Sequence, residues 1–390
     1  MTPDRRLAAR ATESEGSEIR VLFERAREYD GDLVRLEIGE PDFDTPSYVV
    51  DAAAQAAHDG ETHYTSTYGI DPLREGIADR ISREDGVEVG ADGVLVTAGA
   101  IEAILVGLLS VAGPGDNVVV LTPGFANYTA QVNLTGAEPV QVPLPAETGF
   151  DLDPALVAES ITDDTAAVVV CRPTNPTGRV YDEEAVCELT RIAAAHDAYV
   201  LADEVYDRLT YGRTTRSVGA IAEDPEWVLS VNSFSKRFAM TGWRVGWLAG
   251  PEPVIEAAQV IRQGTTLCPS SVSQQAALAA LEGPQEPFEE MVAAYERRRD
   301  CVIDRVEEWP KVHCVPPEGT FYAFLDVRAF DEPAMDLALR LLEEYGVSTT
   351  PGTAFGAGGE GHLRLSYTTD MERLERGLDR IERAVRNEFG

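Results

Sequence analysis

Short apolar runs alternate with longer stretches of helical periodicity along most of the chain. The runs at 94–97, 118–121, 140–142, 167–171, 199–203, 228–233 and 245–249 are rich in aliphatic and β-branched residues and predict seven strands. Residues 100–112 read as an apolar helix stopped by Gly113, Pro114 and Gly115. Residues 182–196 read as a helix whose first turn carries Asp182, Glu183 and Glu184, as the helix dipole favours. Continuously apolar strands separated by helices imply a mostly parallel sheet covered on both faces. After Pro251 the pattern changes. Helices are expected at 270–282, 287–308 and 333–345, with strands at 320–327 and 362–367 and a last amphipathic helix. The fold class is therefore α/β: a large domain with a mostly parallel seven-stranded sheet flanked by helices, plus a smaller α+β domain. The large domain is expected at 47–280, and the small one combines 1–46 with 281–390. There is no internal repeat and no low-complexity block.

A chain of 390 residues is long enough for a large core split between two domains. A mean hydropathy of −0.16 with 44% hydrophobic residues does not describe a disordered or fibrous chain. Charge is the outlier: 33 basic against 67 acidic residues give −34. That field repels nucleic-acid backbones and anionic lipid surfaces, so neither is expected as a partner. Only Lys236 and Lys311 are lysines; the remaining basic residues are arginine. An acidic, arginine-over-lysine composition resembles that of proteins from salt-loving organisms. It also leaves two candidates for any chemistry that needs a lysine amine.

The five cysteines are odd in number and show no CxxC spacing, which fits a reduced, cytoplasmic chain. The five histidines form no HExxH or HxH cluster, so no metal site is expected. The first twenty residues carry no apolar signal core. The stretch 94–113 could pass for a membrane span, but Gly99 and Glu102 interrupt it, and a buried strand followed by a buried helix is expected instead.

Ligands of open α/β sheets bind beyond the carboxyl ends of the strands. Four predicted strand ends carry polar residues. Thr97-Ala98-Gly99-Ala100 closes one strand and opens a helix; Arg172-Pro173-Thr174-Asn175-Pro176-Thr177-Gly178 follows another. Asp203-Glu204-Val205-Tyr206 and Ser233-Phe234-Ser235-Lys236, with Arg244 eight residues on, follow two more. A helix start built from small residues suits a phosphate, and an arginine and serine would complete its shell. A buried carboxylate needs a cationic partner, and a lysine amine can condense with an aldehyde. Phosphate, protonatable ring nitrogen, phenolic oxygen and aldehyde together describe pyridoxal 5'-phosphate.

These motifs, with Leu36-Glu37-Ile38-Gly39-Glu40-Pro41-Asp42-Phe43 and Arg364-Leu365-Ser366-Tyr367, extend over nearly the whole chain. The sequence resembles the class I pyridoxal-phosphate-dependent aminotransferases of the aspartate aminotransferase fold. The resemblance implies that Lys236 carries the cofactor and moves the substrate proton, that Asp203 pairs with the ring nitrogen, and that Asn175 and Tyr206 bond the phenolic oxygen. It implies that Gly99, Ala100 and Ile101 hold the phosphate beside Ser233, Ser235 and Arg244, and that Phe125 stacks on the ring. Arg364 would grip the substrate α-carboxylate, with Asn175 and Gly39 nearby. Tyr64 would reach the phosphate of the other subunit, implying a homodimer with shared sites.

The expected reaction is transamination from an L-amino acid to a 2-oxo acid, with 2-oxoglutarate as the expected acceptor. The donor is aspartate, aromatic or broad-range. Ile101 stands where some aspartate-preferring relatives have a lysine, which weakens a strict aspartate reading, and Arg20 or Arg262 could take over that role. Two alternatives are a β-lyase or another reaction on the same scaffold, and a non-catalytic binding or regulatory module. The presence of Lys236, and the lack of a helix-turn-helix segment before residue 30, weigh against the second. Lys311 and the five histidines receive no role, and the run from Gly356 to Gly361 reads as a mobile loop without a nucleotide-binding context.

Overall fold

The computed structural model describes residues 18–387, with side chains from Val21 onward. The first 17 residues of the expected N-terminal segment, and the side chain of Arg20, lie outside the described residues. Thirteen strands are described. The first eight are Val34–Arg35 (β1), Val94–Thr97 (β2), Asn117–Thr122 (β3), Glu138–Pro143 (β4), Thr165–Cys171 (β5), Tyr199–Asp203 (β6), Val228–Ser233 (β7) and Gly246–Ala249 (β8). The others are His313–Cys314 (β9), Tyr322–Asp326 (β10), Val347–Ser348 (β11), Thr350–Pro351 (β12) and His362–Ser366 (β13).

Strands β2 to β8 form one seven-stranded sheet in the order β2-β8-β7-β6-β5-β3-β4. The expected α/β layer is present, and each strand lies within a few residues of its predicted run. All neighbours pair in parallel except at β8, which is antiparallel to both β7 and β2. The reversal has a local cause. Only twelve residues separate β7 from β8, and they are used by a one-turn helix, Phe234–Arg237, and a tight 3₁₀ turn, Thr241–Trp243. A parallel return needs a crossover, whereas a short link brings the chain straight back. As a result β8 starts at the edge where β2, β5, β6 and β7 end, which is how Arg244 comes to that edge.

Alternation along the central strands sorts their side chains onto two faces. In β5, Ala167, Val169 and Cys171 pack into one core, and Val168 and Val170 into the other. In β6, Leu201 belongs to the first and Val200 and Ala202 to the second. The two strands are in register as Cys171 opposite Asp203. Asp203 therefore shares a face with Cys171 and with the helix Asn127–Thr135, which carries Tyr128.

A second, four-stranded antiparallel sheet has the order β12-β13-β10-β9, and β1 pairs in parallel with β11. The long helix Glu286–Glu307 connects the two halves of the chain. Its Arg298 makes a two-pronged pair with Asp42, at 2.8 and 2.9 Å, which clamps the segment after β1. Among the helices not anticipated from the pattern, the longer ones that flank the seven-stranded sheet are Ser47–His58, Asp71–Asp85, Asn127–Thr135 and Glu252–Gln263. Arg74, Arg80 and Arg262 are buried within them, so the face that meets the protein is not purely apolar.

Arg262 cannot serve as a second substrate cation. Its side chain is fully buried, donates to Thr67 O at 2.8 Å and to Val96 O, and lies 3.7 Å from the Glu102 carboxylate. Replacing it with alanine would leave Glu102 buried beside no charge. Arg262→Ala should lower stability by about 3–5 kcal/mol, and Arg262→Met combined with Glu102→Gln by clearly less. Urea unfolding followed by tryptophan fluorescence measures both.

Candidate active site

The carboxyl ends of β2, β5, β6 and β7 converge with the start of β8 on one edge of the sheet. Each contributes one part of a single site.

Asp203 closes β6 and is buried. Its Oδ2 accepts from the Tyr128 hydroxyl at 2.6 Å, and its Oδ1 accepts from the Val205 N–H at 3.2 Å. Burial raises its pKa; the Tyr128 and Val205 bonds and the Lys236 charge oppose that rise. Such a carboxyl stays ionised most readily when a cation meets it. Tyr128 had drawn no attention in the sequence, because nothing in the residues around it marks its approach to β6.

Lys236 sits on the one-turn helix that follows β7. The side chain of Ser233 caps this turn by accepting from Ser235 N–H at 3.0 Å, and Ser233 N–H is in turn held by Asn232 Oδ1 at 2.7 Å. Next in sequence, Arg237 forks onto Glu84 at 2.8 and 3.1 Å, which fixes the orientation of the turn. Lys236 is half-buried as a residue; its Nζ donates to Gly39 O at 2.7 Å and lies 5.6 Å from the centre of the Phe321 ring. Burial brings its pKa down to about 8; Glu40 and Asp203 pull it up, and Arg364 and Arg244 push it down.

Arg364 lies close enough to Lys236 to act on its charge, and it gathers Asn175 and Tyr206 around itself. Arg364 projects from β13, donates to Asn175 Oδ1 at 3.1 Å, to Glu37 O at 2.7 Å and to Thr350 Oγ1 at 3.3 Å, and leaves a buried Nε without a partner. Its guanidinium lies over the rings of Tyr322 and Phe355, at 4.3 and 4.9 Å from their centres. Because Asn175 Oδ1 faces Arg364, the amide NH₂ is free to donate elsewhere. Tyr206 is buried, and its hydroxyl is 3.1 Å from that of Tyr322. Tyr322 is a second site residue that the sequence had not singled out.

The anion-binding half lies at the start of the helix Ala100–Val111. Gly99 precedes it with φ +84°, and a Cβ there would come within 2.6 Å of the Arg244 guanidinium. The backbone conformation calls for glycine, and the absence of a side chain lets the guanidinium lie close over the turn. Arg244 crosses the turn, donating to Thr241 O at 2.8 Å and reaching Ala98 O at 3.5 Å. Glu102 Oε2 takes the Ala98 N–H at 2.5 Å, so the helix N–H groups of the following residues are those left to face a ligand. Phe125 meets Tyr128 edge-on, with ring centres 5.7 Å apart. Ile101 and Tyr64 point outward and are 44% and 87% exposed, so the chain's own fold does not bring Tyr64 into the site.

The donor set fits pyridoxal phosphate. The turn at Gly99 adopts a positive φ that favours glycine, a guanidinium lies over it, a buried carboxylate faces a lysine, and Arg364 keeps an unpartnered buried N–H. Among the described residues no group of His, Cys, Asp and Glu is arranged to hold a metal, and no helix is long and apolar enough to cross a membrane.

A family model described as aminotransferase class I and II matches residues 31–381. The chain is 40% identical to a probable aspartate/prephenate aminotransferase of Thermus aquaticus, over 91% of this chain and 92% of that one. It is 36% identical to aromatic-amino-acid aminotransferase 2 of Thermococcus litoralis, over 95% of this chain and 96% of that one. The solved structure of Thermus thermophilus aspartate aminotransferase with maleate superposes with a TM-score of 0.92 at 38% identity, covering 97% of this chain and 99% of that one.

The lowered pKa of Lys236 gives a direct test. The neutral amine becomes the majority form only above about pH 8. In a Lys311→Arg background Lys236 is the sole lysine. Its acylation in the cofactor-free protein, followed by peptide mass spectrometry, should be slow below this pH, half-maximal near it and level above it.

Proposed function

This chain belongs to the class I and II aminotransferase family and is an aminotransferase; from that premise we propose that it works through pyridoxal phosphate held by the residues described above. The observation that carries the proposal is the meeting of Lys236, the buried Asp203 and the Gly99–Arg244 cradle on one sheet edge. Bound there, pyridoxal phosphate would supply the aldehyde that takes the amino group and the cationic ring that draws electrons from the substrate Cα. Gly99, Ala100, Ile101, Ser233, Ser235 and Arg244 would hold its phosphate, and Phe125 would cover its ring. Asn175 and Tyr206 would donate to its phenolic oxygen.

Asp203 would hold a positive ring nitrogen of that group, and Tyr128 keeps the carboxylate in one orientation for it. Arg364 binds the α-carboxylate of the incoming amino acid by charge-assisted hydrogen bonds, with Gly39 beside it. The substrate Cα–H bond is thereby presented to Lys236. Burial lowers the proton affinity of this amine, which favours the neutral form, so Nζ can accept the Cα proton and later return it. The amino group of an L-amino acid passes in this way to a 2-oxo acid, with 2-oxoglutarate as the proposed acceptor.

The donor range runs from aspartate to aromatic and broad-range amino acids. Arg262 is spent on backbone carbonyls and the apolar Ile101 lies beside the phosphate turn, which keeps an aromatic or broad-range donor beside aspartate. The two domains are taken as 47–280 and as 1–46 with 281–390. A homodimer is part of the same reading. Ile101, Val260 and Leu267 are exposed apolar residues on and beside two helices packed together, Ala100–Val111 and Glu252–Gln263, and Tyr64 stands free to enter a partner's site. Five free cysteines and the acidic charge suit a cytoplasmic protein adapted to high salt.

The test is a half-reaction screen: enzyme loaded with pyridoxal phosphate is mixed with each amino acid in turn, and loss of the visible absorbance is followed. Lys236→Ala should fold normally and show no turnover, and normal turnover would end the proposal. Asp203→Asn should lose well over tenfold in rate, equal to about 1.4 kcal/mol of barrier or more. Activity should persist in molar potassium chloride, where exposed charges are screened; inactivation there, with an optimum in dilute buffer, would contradict the salt-adapted reading.

A further inference from the structure

Tyr322 touches three of the residues assigned to the site: Tyr206, Gly39 and Arg364. It opens β10, in the four-stranded sheet, and only 2% of it is exposed. Its hydroxyl lies 3.1 Å from that of Tyr206, which follows β6 of the seven-stranded sheet. The same hydroxyl rests on Gly39, where an added Cβ would lie 2.2 Å from it. Gly39 in turn accepts from Lys236 through its carbonyl. The Tyr322 ring carries the Arg364 guanidinium, 4.3 Å from the ring centre. One side chain thus supports the groups that meet the phenolic oxygen, the substrate carboxylate and the amine.

The shared hydrogen bond has a direction that matters. Two phenols bring two protons to one bond, so one O–H needs another acceptor. Among the described residues neither hydroxyl has a second hydrogen-bond partner. Burial raises the pKa of both, so both keep their protons. If Tyr206 donated to Tyr322, the Tyr322 proton would be enclosed against Gly39 with no acceptor. If Tyr322 donates, the spare proton is on Tyr206, just beyond the strand end that carries Asp203, where a bound phenolic oxygen can accept it.

We propose that Tyr322 is a positioning residue: it donates to Tyr206 Oη and so turns the Tyr206 proton toward the phenolic oxygen of the cofactor, while its ring supports Arg364. The proposal rests on the pyridoxal-phosphate reading given above. It also implies that the two sheets must be seated together before Tyr206 is correctly polarised, because the bond joins one to the other.

The test is a pH titration of the visible absorbance of the holoenzyme in wild type, Tyr322→Phe, Tyr206→Phe and the double variant. A hydrogen bond to the phenolic oxygen favours its deprotonated form, so weakening that bond raises the midpoint. Tyr322→Phe should raise it by about half a pH unit, a roughly threefold change in the equilibrium. The double variant should titrate like Tyr206→Phe alone. Because phenylalanine keeps the ring under Arg364, KM for the amino acid should hold while kcat falls, and Tyr322→Ala should raise KM as well. Thermal unfolding of the cofactor-free variants reports the fold separately. A wild-type midpoint in Tyr322→Phe, or a shift that adds in full to that of Tyr206→Phe, overturns the proposal. No visible band in the wild-type protein would overturn the cofactor reading itself, and the role of Tyr322 with it.

Discussion

A carboxylate enclosed by protein at the end of a central strand can stay ionised only where positive charge meets it. Asp203 is that group, and much of the site serves to make its position useful. β6 carries it to the sheet edge, and strand alternation turns it to the face where Tyr128 can bond it. β7 delivers Lys236 to the same edge, and the reversed β8 brings Arg244 back to the helix start at Gly99. A ligand spanning these points needs an anionic end, a cationic ring and a carbon that a lysine can reach, which is a narrow chemical description.

The mounting of Lys236 shows how charge inside this acidic chain is used. Glu84 faces Arg80, Arg208 and Arg237 together, and its carboxyl is held down to about 2 by the Arg237 hydrogen bond and the charges of all three against the cost of burial. The network ties the helix Asp71–Asp85 to the turn that bears Lys236. Arginine suits this work because its planar fork bonds in two directions and remains charged when enclosed. The scarcity of lysine thus has an internal counterpart: the cations buried in the protein's framework are arginines, and the lysine at its centre has its proton affinity lowered by burial.

The site joins two layers of the molecule. Arg364 stands in the four-stranded sheet and reaches Asn175 at the end of β5; Tyr322 stands in the same sheet and reaches Tyr206 beyond β6. The segment after β1, clamped by Arg298 on Asp42, passes between them and offers Gly39 O to Lys236. The groups proposed to bind the substrate carboxylate and to move its proton are therefore joined by a short series of buried contacts rather than held within one layer.

The seven-stranded sheet was legible in the sequence because strands buried on both faces read as unbroken aliphatic runs, and the strand-end motifs because Lys236, Asp203, Asn175 and Gly99 sit at the ends of those runs. The helices Ser47–His58, Asp71–Asp85, Asn127–Thr135 and Glu252–Gln263 were less legible, since arginines occupy buried positions on two of them and blur the apolar stripe. Tyr128 and Tyr322 read as plain core aromatics, and their hydroxyls acquire meaning only from neighbours 75 and 116 residues away. Arg262 could equally have been a free cation until its carbonyl partners were seen. The chain's own order determined which chemical groups stand at the strand ends, because local patterning sets strands and turns. The pairing of those groups, the direction of β8 and the partner of each buried polar atom were decided by tertiary structure, because they depend on contacts between segments that are remote in sequence.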